Sequence, residues 1–220
     1  MKLRLSLHRA RLGPEEFNVI RPARPPARAL LLDAGWWLGA YVDQDAARLL
    51  AGLWSLAATS PRSLIHLPLR GAPHAPGERP LDLVLLHRSL RFAPSRWKEV
   101  RARLGPARPR TVELPGPSWD ARDDGPAPGH WDDRDDFRQH VHADTLFMTG
   151  TPRAFRDSAP LFADVAGQGP GQALAFPDRH YCQRLYPCHR GSGNRELHIE
   201  YRQRWAPAAA ASDPRPSTPR

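Results

Sequence analysis

The sequence predicts an α+β fold: a mixed, largely antiparallel sheet with three or four helices in a single domain. Three observations carry this. Apolar and polar residues alternate in several short segments, the period of a half-buried strand. Helical spacing is confined to separate stretches, without the regular strand–helix–strand alternation that builds a doubly wound sheet. The 25 prolines among 220 residues also keep elements short. A hydrophobic fraction of 40%, with 7 Trp, 7 Phe and 4 Tyr, supplies the core.

Leu3, Leu5 and Leu7 alternate with Lys2, Arg4, Ser6 and His8, which predicts a first strand. After the Pro/Arg-rich RPARPPAR come ALLLD, a short buried strand, and GWWLGAYV, a second strand behind a glycine turn. From Asp43 the period changes. Ala46, Leu49, Leu50, Leu53, Trp54 and Ala57 recur at helical spacing, with Asp43 as N-cap and Pro61 closing the segment. RSLIHLPLR and LDLVLLHRSL read as an antiparallel hairpin with a long loop. PSRWKEVRARLG is a short helix burying Trp97, Val100 and Leu104 and ended by Gly105, and TVEL is another strand. Residues 115–136 are rich in Pro, Gly and Asp and predict an acidic surface loop. DTLFMT is a strand. A helix opens at Thr151-Pro152 and passes Phe155, Leu161 and Phe162, with Pro160 predicted to divide it into two pieces. ELHIEYRQRW is the last strand. The domain is placed at residues 1–205, and 206–220 read as a disordered tail.

The longest nearly apolar stretch, residues 29–42, falls short of the ~20 residues of a membrane span and contains Asp33. The first residues lack the continuous apolar run of a signal peptide. The expectation is a cytoplasmic protein without membrane association, in which two cysteines are by default free thiols.

The formal charge is +9, from thirty arginines and two lysines against 23 acids. Such arginine dominance is the signature of a GC-rich genome, which raises the charge without an anionic partner. The densest basic run is Arg88, Arg91, Arg96, Lys98, Arg101, Arg103, Arg108 and Arg110, facing the single acid Glu99. Several cations on one side of a helix suit phosphate contacts, so nucleic-acid binding through this run is one candidate. A solvated face, or a face covered by the acidic loop, is the other.

Two segments carry metal-type side chains. In HVHAD, His140, His142 and Asp144 alternate, so an extended strand would project all three from one face. This string resembles the opening of the metallo-β-lactamase signature His-x-His-x-Asp-His, and LLLDAG loosely resembles that family's Asp-x-Gly strand. The resemblance implies a metal-dependent hydrolase. Thr145 stands where the signature closes with His, and the likeness covers about six residues.

In HYCQRLYPCHR, His180, Cys182, Cys188 and His189 could surround a tetrahedral Zn²⁺ if the loop folds back. Free thiols, a reactive cysteine beside a histidine, and a disulfide are the other readings. His66 and His87 are expected to be half-buried and hydrogen-bonded, and His8 and His198 to lie on the polar sides of their strands. No set of residues assembles a catalytic constellation. The function expected is therefore that of a binding or accessory protein with a protein partner. A metal-dependent enzyme and a nucleic-acid binder are the alternatives.

Overall fold

The computed structural model describes residues 1–114, 137–186 and 194–205. The expected acidic loop and tail lie outside them. Eleven strands and three α-helices follow in the order β1 (Lys2–Leu12), β2 (Glu15–Pro22), β3 (Ala29–Asp33), β4 (Leu38–Val42), α1 (Gln44–Thr59), β5 (Ser63–Leu67), β6 (Asp82–His87), α2 (Trp97–Ala102), β7 (Arg108–Glu113), β8 (Arg138–His142), β9 (Thr145–Gly150), α3 (Pro152–Ala175), β10 (Cys182–Leu185) and β11 (Leu197–Tyr201). They form an α+β domain with a seven-stranded sheet, β7-β1-β2-β5-β6-β9-β8, and a four-stranded one, β10-β11-β4-β3. Pairing is antiparallel except at β2/β5, β6/β9 and β4/β11.

The chain builds the small sheet in two excursions from the large one. The first, after β2, lays down the β3–β4 hairpin and α1. The second, after β9, lays down α3, β10 and β11. The parallel pair of β4 and β11 joins them, with Gly39 beside His198.

Helices α1 and α3 pack on each other and each touches both sheets. Trp54 of α1 meets Phe162 of α3 at 4.3 Å between ring centroids. Burying an aromatic side chain of this size stabilises the fold by about 2–3 kcal/mol. Asp43 caps α1 as its sequence predicts, its carboxylate accepting from the Ala46 N–H at 2.8 Å. A second core lies on the other face of the large sheet, where Trp97 and Val100 of α2 cover Leu12, Val19, Val84 and Phe147.

The structure departs from the expected elements at three points. A strand, β2, runs over EEFNVIRP, pairing with β1 through a tight turn at Gly13, whose φ is +62°. Helix α3 continues through Pro160 and Pro170 instead of dividing. An internal proline costs about 3 kcal/mol, but burial of Phe155, Ala159, Phe162, Val165 and Ala166 holds the helix together. Third, β8 and β10 form additional edge strands. Helix α3 approaches β11 so closely that a Cβ on Gly169 would lie 2.6 Å from the Tyr201 ring.

Candidate metal centre

His180 stands two residues before Cys182, the first residue of β10, so extended backbone points both to one side. In the antiparallel pairing with β11, Cys182 lies across from Glu200 and Arg184 across from His198. Cys182 and His198 are therefore diagonal neighbours on the same face. The intervening residues Leu185, Leu197 and Ile199 point the other way, into the core. The outer face of the small sheet thus gathers one thiol and two imidazoles.

The ligand atoms of His180, Cys182 and His198 all lie within 4.8 Å of one another. Among the described residues, no other group of three or more His, Cys, Asp or Glu side chains converges in this way. Tetrahedral Zn²⁺ with bonds of ~2.0–2.3 Å needs ligand atoms ~3.3–3.8 Å apart. Side-chain rotations that draw them in by about 1 Å would suffice. A mixed nitrogen–sulfur set suits Zn²⁺, and three protein ligands leave a fourth position for another group.

The surroundings favour neutral imidazole and tune the thiol. His198 is half-buried, its ring held edge-on between Trp37 at 5.3 Å and His180 at 5.8 Å. Gly39, beside His198 in the ladder, makes room for this: a Cβ there would lie 2.9 Å from the Trp37 ring. Burial pushes the His198 pKa down from 6.5, keeping a nitrogen lone pair available at neutral pH. Burial pushes the Cys182 thiol up from 9.0, against the pull of Arg184. The free thiol therefore keeps its proton until a metal displaces it. His198 Nε2 is buried and has no hydrogen-bond partner among the described residues. A buried polar atom left unpaired is costly, and a ligand would relieve that cost.

Of the four zinc ligands expected from sequence, His180 and Cys182 belong to this group; Cys188 and His189 lie outside the described residues. His198 takes its place in the group instead. Sequence alone placed it on the polar side of its strand, without a role. Its signal was the alternation His198-x-Glu200 matching His180-x-Cys182, which becomes informative only once the register between the strands is known.

His140 and His142 do share a face of β8, their rings stacked with centroids 6.2 Å apart. Asp144, however, sits in the turn to β9 at φ +53°, and Arg70 engages its carboxylate at 3.3 Å. The three do not converge. The eight basic residues are likewise distributed. Arg96 pairs with Glu15 and Arg101 approaches Asp82 at 3.6 Å. Arg108 and Arg110 lie on the edge strand β7, Lys98 and Arg103 are exposed at α2, and Arg88 and Arg91 border a cavity beyond β6. His66 is fully buried rather than half-buried, whereas His87 is half-buried, as expected.

Compared with known proteins, the chain matches no family model, and no curated protein or solved structure matches it. No helix among the described residues is long and apolar enough to cross a membrane.

Proposed function

We propose that this protein is a metal-binding accessory protein that holds one Zn²⁺ through His180, Cys182 and His198 on the outer face of its small sheet. The observation that carries this reading is the convergence of three soft-to-borderline ligands around an imidazole with an orphaned buried nitrogen. The site sits on a sheet face rather than in a closed core, which suits uptake and release of the ion. Trp36, 92% exposed in the turn beside Trp37, is a ready anchor for a protein partner approaching the metal.

A second reading, a metal-dependent enzyme, draws support from the open fourth position, which catalytic zinc sites reserve for water or substrate. The first reading is preferred because the triad lies on a sheet face, whereas an enzyme site is normally a concave pocket.

The test is metal analysis of the full-length untagged protein beside Cys182→Ala and His198→Ala. About one equivalent of zinc in the parent and little in either variant is the expected result. A parent that neither retains zinc nor takes it up on titration sinks the proposal.

A further inference from the structure

A second site lies on the large sheet, away from the triad. We propose that the cavity beyond the carboxyl ends of β6 and β9 binds a small phosphomonoester, clamped by Arg91 and Arg138. The cavity has a volume of about 830 Å³, within the ~300–1,000 Å³ of small-molecule sites. It is far larger than a phosphate ion, so there is room for an organic body. Strands β6 and β9 are parallel, so both end at the cavity.

The lining is cationic and rich in donors. Arg91 and Arg138 reach the cavity from the segment after β6 and from edge strand β8. Both are exposed, and neither has a carboxylate partner among the described residues. Arg88 borders the cavity too but already makes an interaction of its own. The described lining contains no acid. Thr149 lines it with a hydroxyl group, and Thr151, whose Oγ1 already accepts from the Ala154 N–H at 3.1 Å and which makes a further interaction, is the N-cap of α3. The first turn of that 24-residue helix contains no acid, so its partial positive charge is uncompensated there.

Backbone geometry points the same way. Arg91 adopts the left-handed region at φ +49°, which costs a non-glycine residue of order 1 kcal/mol. Its neighbour Phe92 is buried against Phe17 and Phe147. The strained residue therefore hangs from a fixed anchor at the cavity wall. Planar guanidinium groups match phosphate oxygens in pairs, and two of them with adjacent hydroxyls make a phosphate clamp. The described lining residues form no extended cationic track of the kind a nucleic-acid strand needs, which favours a single phosphate on a small body.

The experiment is calorimetric titration of the full-length protein with AMP, inorganic phosphate and adenosine, with EDTA present to exclude metal bridging. AMP should bind more tightly than inorganic phosphate, and adenosine should not bind. Arg91→Gln and Arg138→Gln should each weaken AMP about tenfold, the loss of one charge-assisted contact. Arg108→Gln, on the opposite edge of the sheet, should leave AMP binding unchanged. The proposal is overturned if AMP does not bind, if inorganic phosphate or adenosine binds as well as AMP, or if Arg108→Gln loses as much as Arg91→Gln.

Discussion

His66 and His198 make an instructive pair. Each has a buried Nε2 without a hydrogen-bond partner among the described residues, and each lies edge-on to a tryptophan: Trp97 at 4.8 Å for His66, Trp37 at 5.3 Å for His198. Burial lowers both pKa values. What differs is the company. His66 Nδ1 accepts from Arg21 Nε at 3.0 Å, and its Nε2 lies 3.9 Å from Asp82 Oδ2, beyond hydrogen-bond reach but close enough for attraction. Arg70 and Arg101 close around the same carboxylate at 3.1 and 3.6 Å. His198 instead faces a thiol and a second imidazole. An orphaned buried imidazole nitrogen therefore does not itself indicate a ligand. Fixed charges around it make a structural network; ligand-type groups make a candidate site.

The largest test of this distinction is Asp82→Asn. Burial alone would push the Asp82 carboxyl up, but His66 beside it, the Leu69 and Arg70 N–H groups and the Arg70 guanidinium hold it down at about 2. Removing the charge takes from Arg101 the carboxylate it faces and leaves Arg70 only the exposed Asp144, and urea unfolding at pH 7 should show a loss of about 3 kcal/mol. The corresponding cut at the other histidine, Cys182→Ala in chelated protein, should cost less than about 1 kcal/mol. Equal losses would erase the contrast.

Next comes zinc itself. At 100-fold excess over Kd, zinc should stabilise the parent by about 2.7 kcal/mol, read as a rise in Tm absent from His198→Ala. Because Cys182 must lose its proton to bind, affinity should fall about tenfold per pH unit between pH ~8 and ~6.5. A pH-independent affinity would exclude thiolate ligation.

Acid titration separates the two histidines further. The folded pKa of His66 lies below 6.5, so as pH falls the unfolded chain takes up the proton first. Stability from its neutral form is complete above pH 6.5 and drains away below it. The contribution of Asp82 persists to lower pH and is lost between 3.8 and about 2. Substituting His66→Gln should flatten the upper window of a stability–pH curve and leave the lower one. The smallest effect is expected of Trp37→Ala, which removes one ring from His198 and should weaken zinc by a few-fold, about 0.5–1.5 kcal/mol.

Elements with strong local signals were legible before the fold was known. Asp43 and the 3.6-residue spacing from Ala46 to Ala57 define α1 because cap and apolar face lie within one segment. β2 was not legible: Glu15, Glu16, Asn18 and Arg21 outnumber its inward-facing Phe17 and Val19, and pairing on both sides makes it a strand. The reading of Pro160 failed for the same reason in reverse, since burial between α1 and two sheets outweighs the missing hydrogen bond. At the candidate metal centre, sequence neighbours His180 and Cys182 could be found by alternation. His198 required a register that no local pattern contains.

The parallel pairing of β4 with β11 also has a consequence for the order of events in folding. The β1–β2 and β3–β4 hairpins close short loops and can form early, whereas β11 must find β4 across most of the sequence. The seat that Trp37 provides for His198 is created only by that late encounter. Metal capture on this sheet would then report completed folding, and a half-folded chain would present the thiol without its clamp.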